Sequence, residues 1–359
     1  MTSMLTNNSA MVALQTLRSI NNDLETTNNR VSTGKKINDA SDSASYWSIA
    51  TTLTSDNNTL KGVTDAMALD SNAVTTASKG LTQVKDDLDT IKKALASALS
   101  ANADRGALQK DIAAALTNIK TAATSSISGS AGDNWLSVDS SNTTSFTEDK
   151  ALLASFSRSG DTVSVSTTTI DTGEFRLYDA NTAGGGSTST VTTKINNIIS
   201  NSSVAANTAS GVNAATVALD TGSSARGFMD TKYTVTYTQV GGTAATTTAA
   251  ASLSEIDISA LTDNDIDLIS SYMKIVDSTR AAVVSGAATL GTNASRLQSQ
   301  QNFANSLIDL NKSSIGTLVD ADMEEESTRL KALQTQQSLA IQSLSIANSS
   351  SSNVLQLFR

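Results

Sequence analysis

The chain of 359 residues contains no cysteine, no proline and no histidine. Without cysteine it forms no disulfide and no thiolate metal centre. Without histidine it also lacks the commonest transition-metal ligand and the commonest general base. Asp, Glu, Lys, Ser and Tyr alone remain for catalysis, so neither an enzyme nor a bound cofactor or metal is expected. Absence of proline favours long unbroken helices, because proline deletes a backbone donor and clashes with the preceding turn. It also removes slow prolyl isomerisation from folding. Aromatic residues are scarce, 4% against 39% hydrophobic overall, so the cores rest on Ala, Leu, Ile and Val, the material of thin helical bundles. Charge is scarce too, 16%, and its formal balance is -9. Nucleic acid needs clustered Lys and Arg, and only isolated pairs occur, at Lys35–Lys36 and Lys92–Lys93. Nucleic acid is therefore excluded as a partner, and an anionic membrane surface is disfavoured. No run approaches the ~20 apolar residues of a membrane span, which predicts no membrane insertion. The first twenty residues lack the basic start, apolar core and cleavage site of a secretory leader. On these facts alone the location would be cytoplasmic.

Helical periodicity marks both ends of the chain. Ala10, Leu14, Leu17, Asn21, Leu24, Asn28 and Val31 step by four and three, the spacing of a coiled-coil seam. The segment "STGKKINDASDSAS" (32–45) interrupts with Gly34 and turn-prone residues. Helical spacing resumes at Ile49, Leu53, Leu60, Val63 and Met67. It is strongest at Leu81, Val84, Leu88, Ile91, Leu95 and Ala98, and returns at Ile112, Leu116 and Ile119. Near residue 128 the composition shifts to Ser, Thr, Gly and Asn, until about 258. Residues 161–170, 174–179 and 232–240 read as strands, the last from the alternation in "YTVTYTQV"; 181–190 and 240–251 read as turns or loops. Thr262 is a predicted helix N-cap, with Asp263 and Asp265 in the first turn. From there Leu290, Ala294, Leu297, Gln301, Ala304, Ile308, Asn311, Ile315 and Leu318 again alternate four and three. After "DADMEEES" (320–327) the last helix carries Leu330, Leu333, Gln337, Ala340, Leu344, Ala347, Ser351, Val354 and Phe358.

Chain ends normally fray, so an apolar stripe running to the last residues must be covered. The economical solution pairs N-terminal with C-terminal helices as long coiled-coil-like bundles. The predicted fold is therefore mainly α, with a β-containing central insertion projecting outward. Leu339, Ile341 and Ile346 lie off the final seam. A helix apolar on more than one face wants several neighbours, and exposed apolar surface marks an interaction site.

Two motifs carry possible chemistry. "DTG" occurs at 171–173 and again in "ALDTGSSA" (218–225), resembling aspartic-protease loops, whose mechanism needs Asp171 and Asp220 to share a proton. Only 49 residues separate them, too few for a lobe each, in a region where Ser, Thr, Gly and Asp make such matches common; they read as turns. The acidic run at 320–327 lacks the Gly and oxygen spacing of an EF-hand loop and reads as a solvated helix start. "NTAGGGS" has no strand–Gly–helix context for phosphate, and the Asn-x-Ser/Thr triplets at Asn7, Asn142 and Asn201 carry little weight.

The two ends carry a family resemblance. "RVSTGKKINDASDSASYWSIATTL" (30–53) resembles the N-terminal signature of bacterial flagellins. "VDADMEEESTRLKALQTQQSLAIQSLSIANSSSSNVLQLFR" (319–359) is similar to their C-terminal signature, down to the closing Asn-Val-Leu-x-Leu-x-Arg. "SYWSIATT" is similar to the version in alphaproteobacterial flagellins, especially those of soil and plant-associated bacteria. The resemblance implies a filament subunit for motility, exported unfolded through a type III channel without a cleaved signal peptide and polymerised outside the cell. It implies three parts: 1–40 with 320–359 as inner filament core, 41–134 with 262–319 as a helical bundle, and 135–261 as a variable surface domain. In the free monomer the end helices would be largely disordered and fold on assembly. Implied subunit-interface residues are Leu14, Leu17, Leu24, Leu330, Leu333, Leu344, Val354, Leu355 and Phe358. Implied partners are other flagellin subunits, the filament cap, hook–filament junction proteins and an export chaperone at the C-terminal helix. The alternative is a junction protein with the same terminal helices. Within 29–50, the segment read by the plant flagellin receptor, Ser43 replaces one of a usual pair of aspartates and Tyr46 a usual glycine. Thr90 stands where the pattern read by the vertebrate receptor has an arginine. Weak recognition by both is expected.

Overall fold

The structure, a computed structural model, describes residues 7–128, 133–141, 146–159, 162–181, 189–203, 215–220, 226–239 and 246–357. The chain divides into two compact units, Met1–Gly62 with Asn305–Arg359, and Val63–Ala304.

In the first unit, α1 (Asn8–Thr33) starts where the Asn7 side chain accepts the Ala10 N–H at 3.1 Å. It stops at Gly34, whose φ of 70° suits a residue without Cβ and whose N–H closes on the Arg30 carbonyl at 2.8 Å. The last helix, α6 (Met323–Leu357), starts on Asp322. That carboxylate accepts the Glu324 N–H at 3.0 Å, and Glu324 to Glu326 fill the first turn, where the helix dipole favours anions. The two helices run antiparallel: Asn7 donates to the Ala347 carbonyl (3.0 Å), Gln337 to Asn21 (2.7 Å) and Arg30 to Glu326 (3.1 Å). The unit also takes the start of a long helix, α2 (Ala44–Ala98), and the end of another, α5 (Ile266–Val319). Their contact is partly polar, for Asn311 donates to the Asn57 side chain, which in turn donates to the Ile308 carbonyl. The turns beyond α1 and α5 are joined to each other, Lys36 N–H to the Val319 carbonyl (2.7 Å) and Ala321 N–H to that of Gly34 (2.9 Å).

In the second unit the expected helical stripes are buried. Leu81, Val84, Leu88, Ile91 and Leu95 of α2 share a core with Ile112 and Ile119 of α3 (Arg105–Ser125) and Ile269, Val276, Val283 and Leu290 of α5. Thr262 caps α5 as expected: its side chain accepts the Asn264 N–H and Asp265 returns to the Thr262 N–H at 3.0 Å, a capping box on the 3₁₀ turn Asp263–Asp265.

The stretch between α3 and α5 is built of short strands. Strands β1 (Ile127–Ser128) and β2 (Asp133–Asn134) pair antiparallel, whereas β3 (Ser137–Val138) pairs parallel with β6 (Tyr178–Asp179). Between them β4 (Asp149–Ser159) and β5 (Thr162–Asp171) form a hairpin, bulged between Leu153 and Ser155. A helix, α4 (Ser189–Ser202), precedes the antiparallel sheet β7 (Thr216–Leu219), β8 (Lys232–Thr238) and β9 (Thr246–Ser252). The alternation predicted for β8 holds, with Tyr233, Val235 and Tyr237 all buried. Three readings are corrected. Residues 246–252, taken as loop, pair with β8 along its whole length, a tertiary gain that overrides the weak strand preference of alanine. Residues 174–179 contribute only β6, because Thr172–Glu174 forms a 3₁₀ turn on the Asp171 cap. Helix α4 begins at Ser189, inside the other presumed loop, and buries Val191, Ile195 and Ile198 on one face.

Gly227 shows how closely the segments pack. A Cβ there would lie 2.1 Å from the Leu177 carbonyl oxygen and 2.5 Å from Tyr178 N, both main chain, and the backbones are tied by Met229 N–H to the Leu177 carbonyl at 2.9 Å. Gly227→Ala is therefore expected to destabilise this unit by about 1–3 kcal/mol. Gly291→Ala, where a Cβ meets nothing within 4 Å on α5, should gain about 0.5–1 kcal/mol. Denaturant unfolding followed by circular dichroism checks both.

Candidate assembly interface

The side chains of α1 and α6 sort into those facing each other and those left outside. On α6 the expected seam is found from Leu330 to Ala347; Ser351 and the positions after it lie outside the described side chains. Leu333 is 8% exposed, and Leu330, Gln337, Ala340, Leu344 and Ala347 are half-buried. On α1 the seam differs by one position at alternate steps. Ala10, Ala13, Leu17, Ile20, Leu24, Thr27 and Val31 face inward, Ile20 and Thr27 most deeply. Leu14, Asn21 and Asn28, read as seam positions from the spacing, are exposed. Both readings share positions 10, 17, 24 and 31. The choice between them falls to Ile20, a large apolar side chain that the four-then-three reading left outside.

A second apolar set remains uncovered by the described residues. On α1 it comprises Met11, Val12 and Leu14 (41% exposed); on α6 it comprises Leu339, Ile341 and Ile346 (69%). Near the start of α2, Tyr46, Trp47 and Ile49 are also exposed. The side chains of Val354 and Leu355 lie outside the described set, and Phe358 lies outside the described residues. Ser43 and Tyr46 line an open cavity of about 390 Å³, together with Arg30, Lys36 and Asp42. Thr90 is exposed on α2, its hydroxyl donating to the Asp86 carbonyl.

The two carboxylates of the "DTG" motifs are engaged separately. Asp171 accepts the Gly173 N–H at 2.7 Å at the end of β5, and Asp220, after β7, accepts the Thr234 hydroxyl at 2.8 Å. Asp171 thus serves the turn that follows it, and Asp220 a strand beside it. Among the described residues no group of three or more acidic side chains could hold a metal ion, and no helix is long and apolar enough to cross a membrane.

Terminal helices paired across the length of the chain, with apolar residues left on their outer sides, define a structural protein of the self-assembling helical class. Comparison with known proteins gives the family. Bacterial flagellin N-terminal helical region matches residues 4–138 and bacterial flagellin C-terminal helical region matches residues 273–358. Flagellin C of Rhizobium meliloti (strain 1021) is 38% identical over 360 residues, Flagellin A of Rhizobium meliloti 37% over 406, and a flagellin of Brucella melitensis biotype 1 35% over 360. All of each chain is covered in every case. The chain belongs to the bacterial flagellins. It is a structural subunit of the flagellar filament rather than an enzyme, and the junction-protein alternative is not favoured.

Leu333→Ala removes the most buried leucine of α6 among the described residues and should cost about 2 kcal/mol or more. The expected readout is earlier thermal loss of helicity in assembled filaments, followed by far-UV circular dichroism.

Proposed function

We propose that residues 1–40 and 320–359 form the inner core of the filament, 41–134 and 262–319 a surrounding helical bundle, and 135–261 the variable outer surface. The observation that carries this reading is that α6 is apolar on two sides, of which α1 covers one. Leu17, Leu24, Leu330, Leu333 and Leu344 then hold the pair together. Leu14, Leu339, Ile341 and Ile346 meet neighbouring copies, and Val354, Leu355 and Phe358 extend that contact to the tip. Each leucine or isoleucine so covered contributes about 1.5–3 kcal/mol, so many modest contacts sum to a stable polymer. A lone pair of helices buries too little to offset its own ordering, which is why the ends consolidate on assembly.

The subunit leaves the cell through a type III channel, handled by a chaperone at the C-terminal helix, and joins the filament between cap and junction proteins. A chain with no disulfide to reduce and no proline to isomerise suits passage unfolded and quick refolding. Electron microscopy of purified protein seeded with short filament fragments tests the interface. Full-length chains should extend the seeds, while a version ending at Ala347, or one carrying Leu14→Asn and Ile346→Asn, should not. Extension by all three would place the interface elsewhere.

Ser43, Tyr46 and Thr90 are proposed to weaken recognition by the plant and vertebrate flagellin receptors. A bulky ring obstructs close backbone approach at Tyr46, and Thr90 lacks a guanidinium's paired donors. Tyr46→Gly with Ser43→Asp should raise plant-receptor responses at least tenfold, and Thr90→Arg should do so for the vertebrate receptor. Responses of the unaltered protein at the doses typical of potent flagellins would overturn this.

A further inference from the structure

Arg176 is fully buried in the second unit, where a guanidinium is tolerated only when paired. Its Nη2 donates to Glu148 Oε1 at 2.8 Å and its Nη1 to Asp179 Oδ2 at 3.1 Å, and its Cζ lies 5.0 Å from the centre of the Phe146 ring. Beyond it, Asp230 accepts the backbone N–H groups of Asp179 (2.8 Å) and Gly227 (2.7 Å). Arg226 lies 3.5 Å from Asp230 and donates to the Asp179 carbonyl. Three carboxylates thus share two guanidiniums. Two more, Asp149 and Asp171, stand opposite each other at the base of the β4–β5 hairpin, next to Glu148. The nearby cation of α4, Lys194, faces Glu174.

The three carboxylates are not equally served. Asp179 accepts four donors: the Ser140 N–H and hydroxyl, the Asn181 N–H and Arg176. Asp230 accepts two backbone N–H groups and faces Arg226. Among the described residues the carboxylate of Glu148 takes Arg176 alone, although its main-chain carbonyl accepts both the N–H (3.1 Å) and the hydroxyl (2.9 Å) of Thr172. An anion out of water is held by its donors, so the group with fewest is the one that takes a proton.

We propose that Glu148 is a proton-operated latch at the base of the β4–β5 hairpin, closed when protonated in mildly acidic medium and loosened when it ionises. Burial pushes its carboxyl up, the Arg176 guanidinium opposes this, and Asp171, Asp149 and Asp179 push it further, to about 7. Burial also raises Asp230, against the N–H groups of Asp179 and Gly227 and the charge of Arg226. A carboxyl whose folded value exceeds its ordinary 4.5 binds its proton more tightly folded than unfolded. Stability from this group is therefore full below about pH 4.5 and is lost as pH rises towards and through about 7. Asp263 is held low by its hydrogen bond from Arg105, so its contribution is lost only in acid, outside this window.

The test uses the full chain below its polymerising concentration. With ¹³C-labelled glutamate, one of the seven glutamate carboxyl signals should titrate near pH 7, be missing from Glu148→Gln, and move to lower pH in Asp149→Asn. Between pH 5.5 and 8.5 the melting temperature should fall by at least about 2 °C in the unaltered chain and by clearly less in Glu148→Gln. The proposal is overturned if every signal titrates at pH 4–5, if the signal near 7 survives in Glu148→Gln, or if that variant keeps the same pH slope. Should Glu148→Gln not fold, Asp149→Asn decides, since its carboxyl is exposed; an unmoved midpoint there overturns the assignment too.

Discussion

Asn7 donates to the carbonyl of Ala347, 340 residues further along the chain, and this meeting of the two ends is the constraint on which the rest depends. Closing so long a loop costs entropy that one hydrogen bond does not return. The closure is sustained by the whole length of α1 against α6 and by the joined turns at Gly34 and Val319. Once residues near 7 and 347 are neighbours, the chain must leave along α2 and return along α5. The two run antiparallel where Asn57 meets Asn311 and again where Lys92 meets Asp277 at 2.6 Å. Everything between α3 and α5 is then an insertion whose size the helices need not respect.

The end pair is made of modest parts. Its seam on α1 includes two alanines and a threonine, and on α6 two alanines and a glutamine beside the leucines. Such a seam buries little per turn, and it leaves a second apolar set exposed. The second unit is different, with aromatic residues, a buried guanidinium and close backbone contacts at Gly227.

The helices were legible because their apolar periodicity is long and uninterrupted by proline. The stripe from Leu81 to Ala98, and Leu290, Leu297, Ala304 and Ile308, lie buried where the spacing put them. The α6 seam was equally plain. The α1 seam was less so, because a four-then-three and a three-then-four ladder share half their positions, and leucine at 14 is more conspicuous than alanine at 13. In the insertion, β8 announced itself by alternating Tyr and Val, while β9 had no signal of its own. The Arg176 cluster left no trace in the spacing at all. Its members come from residues 148, 176, 179, 226 and 230, and only the turn at Thr172 and the approach at Gly227 bring them together.

By itself the sequence determined the helical ends, their apolar stripes, the break between them and the signatures of a flagellin. These are local properties, fixed by residue type and a repeat of three and four. Tertiary structure alone decided which side of α1 meets α6, which apolar residues are therefore left exposed, and which carboxylate sits beside the buried guanidinium. Those outcomes depend on distances between residues far apart in the chain. A helical repeat limits how a stripe can face, but only a packed neighbour selects among the faces it allows.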